Sequence, residues 1–189
     1  MVYEEMNKEL NSLLDKMGQK AKTASSILNT VSNDQKNKFF DKAVESIQKD
    51  ADKILQANQA DIQQARQNNK DEAFVDRLAL DEERLQGICD TLEAIKLFED
   101  PVGKVLATWD RPNGLNISRV ATPLGVIGLI FESRPNVAAD AGGLCLKSGN
   151  AVILRSGKDG LGSAIAIVKS LQDALISADL PEESIQIVP

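Results

Sequence analysis

Residues 120–136 read Val-Ala-Thr-Pro-Leu-Gly-Val-Ile-Gly-Leu-Ile-Phe-Glu-Ser-Arg-Pro-Asn, and this run decides the fold. An apolar stretch with two glycines, Gly125 and Gly128, stops abruptly at Glu132-Ser133-Arg134, and Pro135 then starts a new segment. Such a pattern belongs to a buried strand that delivers polar groups to a sheet edge, followed by a helix with proline in its first turn. Open α/β sheets hold their ligands beyond the carboxyl ends of such strands. The stretch therefore marks a candidate site as well as an element.

Downstream, the order is strand, helix, strand, helix, strand. The first strand is expected over 124–131. A helix over 136–147 follows, rich in small residues (Ala138, Ala139, Ala141, Gly142, Gly143) and closed by Gly149. A second strand is expected over 151–154. The next helix, over 161–177, turns Ile165, Val168, Leu171, Leu175 and Ile176 inward, and a third strand covers 184–188. This alternation implies a parallel sheet with right-handed crossovers, half of a doubly wound nucleotide-binding fold. Three parallel strands make a small sheet whose last strand lies unprotected. The expectation is that these 189 residues are the first part of a larger protein; the alternative is a complete domain closed by its helices or by a partner.

Upstream, residues 103–122 read as a hairpin. Val105, Ala107 and Trp109 alternate with Lys104, Leu106, Thr108 and Asp110, Arg111-Pro112-Asn113-Gly114 is a turn, and Leu115, Ile117, Arg119 and Ala121 resume an extended pattern. Spacing leaves two readings open: two strands of the main sheet, or a protruding ribbon that meets another subunit. Residues 1–100 read as helix. Leu10, Leu13, Leu14, Met17, Ala21, Ala24, Leu28 and Val31 recur at helical steps, Ser32-Asn33-Asp34 offers a new N-cap, and a second stripe runs from Phe39 to Ala65. A third helix begins at Asp81 and carries Leu85, Ile88, Leu92, Ile95 and Leu97/Phe98 up to Asp100-Pro101. The heptads are irregular, which favours helices packed on another layer over a coiled coil.

Composition sets limits. With 42% hydrophobic and 26% charged residues the chain can build a packed core. A net charge of −6 argues against phosphate-driven nucleic-acid binding, though not against a local basic pocket. No apolar stretch is long enough to span a bilayer, and the start lacks signal-peptide character. The chain has no histidine, which removes His-based metal sites and His-assisted nucleophiles; no metal site is expected. Cys89 and Cys145 suit a reduced, cytoplasmic protein. Each sits inside a helix among apolar neighbours, so both read as buried and inert.

No G-x-G-x-x-G follows the first strand, so the common dinucleotide fingerprint is missing. Gly157-Lys158-Asp159-Gly160-Leu161-Gly162 opens a helix whose free N–H groups are able to meet an anion; a plain strand-to-helix connection is the other reading. Arg155, Ser156, Gly157 and Lys158 place two cations and a hydroxyl at the end of the second strand, with no carboxylate on the strand end itself. At that position a cation accommodates the 2′-phosphate of NADP(H), whereas an acid favours a free ribose hydroxyl. Asp159 complicates the assignment, and a solvated basic loop is the alternative. At the first strand's end, Arg134 suits a substrate carboxylate or phosphate, and the Asn136 amide suits a developing oxyanion. The competing reading pairs Arg134 with Glu132 and uses Asn136 as a helix cap.

Several blocks together carry a resemblance: Asp76-Arg77-Leu78-Ala79-Leu80, Asp100-Pro101-Val102-Gly103, Pro123-Leu124-Gly125-Val126-Ile127-Gly128, Phe131-Glu132-Ser133-Arg134-Pro135-Asn136-Val137, and Leu146-Lys147-Ser148-Gly149-Asn150-Ala151-Val152-Ile153-Leu154-Arg155. In this order they resemble the γ-glutamyl phosphate reductases, the proline-biosynthesis branch of the aldehyde dehydrogenase superfamily. The resemblance implies N-terminal helices, an oligomerisation hairpin over 103–122, and a Rossmann-like half over 123–189. It implies NADPH-dependent reduction of an acyl phosphate in the cytoplasm by a homo-oligomer, with a cysteine thiolate as nucleophile. Ser133, Arg134 and Asn136 then match the polar block near the substrate, and Arg155, Ser156, Gly157 and Lys158 the adenosine-ribose region. Nothing in this chain matches the family's cysteine segment. The chain alone is therefore expected to be the incomplete cofactor-binding part, without a catalytic residue of its own, and inactive. Rival expectations are a stand-alone nucleotide-binding adaptor and another acylating aldehyde dehydrogenase.

Overall fold

The computed structural model describes the backbone of residues 2–189 and the side chains of residues 8–189. Five helices come first: α1 (Val2–Leu28), α2 (Asn33–Lys49), α3 (Ala51–Gln67), α4 (Glu72–Leu78) and α5 (Glu82–Lys96). Ser32, Asp71 and Asp81 cap α2, α4 and α5 by accepting the backbone N–H groups of Gln35, Phe74 and Arg84. Each satisfies a donor that a helix start otherwise leaves free. The stripe expected to run unbroken from Phe39 to Ala65 is divided at Asp50, which lies outside helical geometry (φ −97°, ψ 12°) and joins α2 to α3. Both halves keep one apolar face inward, so periodicity alone concealed the corner. Helix α4 was not anticipated; at 7 residues it is too short to set up a periodic stripe. Leu97 and Phe98, expected on the face of the last helix, lie past its end and are exposed.

Strands β1 (Val105–Asp110) and β2 (Asn116–Val120) form an antiparallel two-stranded sheet of their own, with Trp109 opposite Ile117 and a bulge between Val105 and Ala107. Gly114 closes the turn at φ +84°, a left-handed conformation that glycine adopts without a side-chain clash. Of the two readings, the structure takes the ribbon separate from the main sheet.

The main sheet holds β3 (Val126–Phe131), β4 (Ala151–Ser156) and β5 (Ile185–Ile187), in that order and all parallel. Helix α6 (Asn136–Lys147) links β3 to β4, and α7 (Leu161–Ser177) links β4 to β5. This is the α/β arrangement expected from the alternation. One sheet face packs Ile127, Val152, Leu129, Leu154 and Ile185 against α6 and α7, with α2, α3 and α5 as a further helical layer. Gly142 brings α6 close to the sheet: an added Cβ would lie 3.2 Å from side-chain atoms of Ile185 and Leu171. The opposite face receives α1, where buried Gln186 donates to the Met17 carbonyl.

Two parts of the expected apolar pattern face outward. Leu10, Leu13 and Leu14 on α1 are exposed, as are Ile165 and Ile176 on α7, because no other layer crosses those helix faces. On the α1 side of the sheet, Leu124, Val126 and Ile130 of the β3 region also stand uncovered.

Two buried polar groups fix the layers. Lys36 of α2 has no exposed surface; its ammonium donates to both Asp100 carboxylate oxygens (3.0 and 2.8 Å) and to the Lys147 carbonyl (3.3 Å). Asn58 of α3 donates to the Leu78 carbonyl and Ser163 Oγ, and accepts from the Leu80 N–H. That second network ties α3 and α4 to the start of α7.

Candidate functional site

The parallel register sets Phe131 beside Ser156, so β3 and β4 end on the same side of the sheet. The Gly157 N–H bonds the Phe131 carbonyl at 2.9 Å and holds the two exits together. Two clefts open around this edge.

The first, of about 300 Å3, lies between the α4–α5 region and the start of α6. Arg77, Arg84, Arg134, Asn136, Asp76 and Asp140 supply its polar groups. Arg84 is engaged, donating to the Asp76 carboxylate at 2.7 Å and to the Ala79 carbonyl at 2.9 Å. Among the described residues, neither Arg77 nor Arg134 forms an ion pair. Arg134 thus does not pair with Glu132. Nor is Asn136 a helix cap: it is the first residue of α6, behind Pro135, and its amide donates to Asp140 Oδ2 at 2.9 Å. Burial raises the Asp140 carboxyl above its ordinary range, while the Asn136 hydrogen bond opposes the rise.

The second cleft, of about 320 Å3, is lined by Lys70, Phe74, Glu132, Ser133 and the Gly157–Gly160 loop. Asp159 meets Lys70 at 3.1 Å, and the Lys70 ammonium lies 4.7 Å from the centre of the Phe74 ring. The other carboxylate oxygen, Asp159 Oδ1, is buried without a partner. Lys158 is exposed and forms no ion pair among the described residues.

The candidate residues are therefore divided by the fold. Arg134 and Asn136 line the first cleft; Ser133, Gly157 and Lys158 line the second. Ser156 is buried and its hydroxyl donates to the Gly157 carbonyl, while Arg155 stands exposed beside Ile130 on the sheet face that carries α1. The glycine-rich loop is neither open nor slack. Residues Lys158–Gly160 form a short 3-10 turn, and the Asp61 carboxylate of α3 accepts the Ser163 N–H (2.7 Å) and hydroxyl (2.5 Å) at the start of α7. A carboxylate of the chain itself thus occupies the helix end that sequence reading offered to an anion.

Sequence reading did not single out Asp61, Lys70 or Asp140, and Arg77 entered only within a motif. A signal existed for Asp140: it is the one carboxylate in α6, flanked by alanines and one turn after Asn136. The two cysteines, Cys89 and Cys145, lie in α5 and α6. Both are buried; burial raises the Cys89 thiol and pushes Cys145 to about 11. Among the described residues no cluster of three or more His, Cys, Asp or Glu side chains is placed to hold a metal ion, and no helix is long and apolar enough to cross a membrane.

Helices, a separate ribbon and a three-stranded parallel sheet with clefts at its carboxyl edge define an aldehyde dehydrogenase-like fold. An acetylating aldehyde dehydrogenase from Geobacillus thermoglucosidasius superimposes with a TM-score of 0.68 over 94% of this chain and 36% of its own; at 14% identity this likeness concerns the fold alone. No family model matches the chain. Sequence narrows the class: the γ-glutamyl phosphate reductase of Brucella suis biovar 1 (strain 1330) is 50% identical over 184 residues, which are 97% of this chain and 44% of that protein. The crystal structure of γ-glutamyl phosphate reductase from Thermotoga maritima matches with a TM-score of 0.90 at 39% identity, over 93% of this chain and 42% of its own. Over nearly all of its own length the chain is thus similar to γ-glutamyl phosphate reductases. It spans under half the length of the curated relatives it matches.

Proposed function

We propose that this chain is the cofactor-binding portion of an enzyme that reduces L-glutamyl 5-phosphate to L-glutamate 5-semialdehyde and phosphate. The observation that carries the reading is 50% identity over 184 residues to a γ-glutamyl phosphate reductase. Each turnover consumes one NADPH and one proton: the acyl C–O bond to phosphate breaks, a C–H bond forms, and phosphate leaves. Neither Cys89 nor Cys145 has the ionised, accessible thiol that nucleophilic attack needs, so the nucleophile belongs to the part of the family's length that this chain does not match.

A nicotinamide cofactor fits the carboxyl edge of the sheet. Arg155 and Lys158, both exposed, suit an additional phosphate. Asp159 is paired with Lys70, so it does not cancel those cations, and this supports NADPH over NADH. When bound, the nicotinamide supplies the hydride. Asp61 already caps α7, so the chain's own anion-binding groups here are side chains rather than that helix end. Arg134 and Asn136 would hold the reacting end of the substrate, with Ser133 behind them. Residues 103–122 would join copies of the enzyme through the ribbon's exposed edge and apolar residues, and the enzyme would work in the cytoplasm.

Titration of the chain with NADPH and NADH, followed by nicotinamide fluorescence, tests the cofactor reading. NADPH should bind more tightly, and the combined substitution of Arg155→Ala and Lys158→Ala should remove the difference. Equal affinity for both nucleotides in the parent chain would overturn it. The chain alone should not oxidise NADPH when supplied with L-glutamyl 5-phosphate; turnover would refute the assignment of the nucleophile.

A further inference from the structure

The first cleft contains a polarity pattern that reduction of an acyl phosphate does not by itself require. Three guanidinium groups and two carboxylates line it. Arg84 and Asp76 satisfy one another at 2.7 Å, leaving Arg77, Arg134 and Asp140 without ionic partners among the described residues. Asp140 is half-buried on α6, and its one hydrogen-bonding neighbour is the neutral Asn136 amide. A carboxylate withdrawn from water without a cation is costly, and proteins rarely keep one without use. Arg77 reaches the same cleft from α4, its guanidinium 6.0 Å from the centre of the Phe74 ring. Separate, unneutralised groups of both signs within about 300 Å3 complement a ligand end that carries both signs itself.

We propose that this cleft seats the α-amino-acid end of the substrate, with Asp140 pairing the α-ammonium and Arg77 the α-carboxylate, which leaves Arg134 at the strand tip for the reacting end. The inference rests on the function proposed above and adds to it the group that selects an amino-acid acyl phosphate over a simple one. Asp140 acts as a specificity residue. An acyl chain without the ammonium would leave the half-buried Asp140 carboxylate unpaired, which is how a partly desolvated charge rejects a near-isostere.

Calorimetric titration of the chain with L-glutamate, N-acetyl-L-glutamate and L-isoglutamine tests this. L-glutamate should bind saturably. N-acetylation, which removes the ammonium, and conversion of the α-carboxylate to an amide should each weaken binding about tenfold or more, as loss of a partly desolvated ion pair does. Asp140→Asn should weaken L-glutamate to a similar degree and abolish the penalty for N-acetylation, while leaving the penalty for the α-amide in place. A residue with a merely structural role would leave both ligand penalties intact. Failure of L-glutamate to bind, equal binding of the N-acetyl compound to the parent chain, or additive effects of Asp140→Asn and N-acetylation would each overturn the proposal. The ligand comparison in the parent chain needs no variant to fold. These results are independent of the nucleotide titration: selective glutamate binding without NADPH binding would keep the amino-acid site and remove the reductase reading, and the reverse would do the opposite.

Discussion

Lys36→Met tests the claim that a buried ion pair pins the helical layer to the base of the ribbon. Methionine retains most of the lysine stem's volume, so the packing of α2 changes little and the experiment isolates the ammonium. That ammonium makes three hydrogen bonds, two to Asp100 and one to the Lys147 carbonyl, and the side chain is fully buried. Removing one partner of such a pair costs about 3–5 kcal/mol, mostly because the other charge is left uncompensated. Asp100 keeps the Val102 N–H at 2.9 Å, and its side chain is 19% exposed, so water recovers part of the loss. The lower end of the range, about 3 kcal/mol, is the expected cost. Urea unfolding followed by far-UV circular dichroism should then show the midpoint lowered by about 1–1.5 M with an unchanged slope. Asp100→Asn alone should also destabilise, and the double variant should lose less than the sum of the singles by at least about 1 kcal/mol. A Lys36→Met protein within about 1 kcal/mol of the parent would refute the reasoning, since Asp100 would then be fully served by solvent.

Other outcomes follow from single environments. Gly149 has φ +75°, and a Cβ there would lie 2.7 Å from Pro123 Cγ and 3.1 Å from Val102 Cγ2; Gly149→Ala should cost about 2–4 kcal/mol in urea unfolding, the sum of backbone strain and overpacking. Gly18, inside α1 with open space around its Cα, is the contrast: Gly18→Ala should stabilise by up to about 1 kcal/mol. With the Cys145 thiol pushed to about 11 by burial, on the order of 0.1% of it is ionised at pH 8, so Ellman's reagent should label neither cysteine until the chain unfolds. Rapid labelling of the native chain would contradict the packing of α6. Burial raises the Asp140 carboxyl, so the folded state holds its proton to higher pH than the unfolded state does. The stabilisation this gives is complete below the ordinary carboxylate range and disappears as pH rises through the folded-state value. Asp140→Asn should therefore gain stability relative to the parent between about pH 3 and pH 7, measured by thermal unfolding; a constant difference would remove the burial argument.

Much of the fold was legible because it is written in local periodicity and local chemistry. The apolar run ending at Glu132-Ser133-Arg134 named β3 and the sheet edge, alternation gave the parallel topology, and Ser32 and Asp81 announced α2 and α5 through their caps. The corner at Asp50 escaped because both helices bury residues at the same spacing, and the outward Ile165 and Ile176 escaped because periodicity shows that a face is apolar but not whether another layer covers it. Sequence therefore determined most of the elements, their order, and the strand end where ligands are expected, since each depends on residues within a few positions of one another. Tertiary structure alone decided which charges are left free there. It placed Asp61 on the start of α7, Lys70 on Asp159, and Arg77 in one cleft with Asp140, by bringing groups 63 to 102 positions apart to a common edge. Whether a charge is neutralised or available is set by its neighbours in space, and packing rather than spacing chooses them.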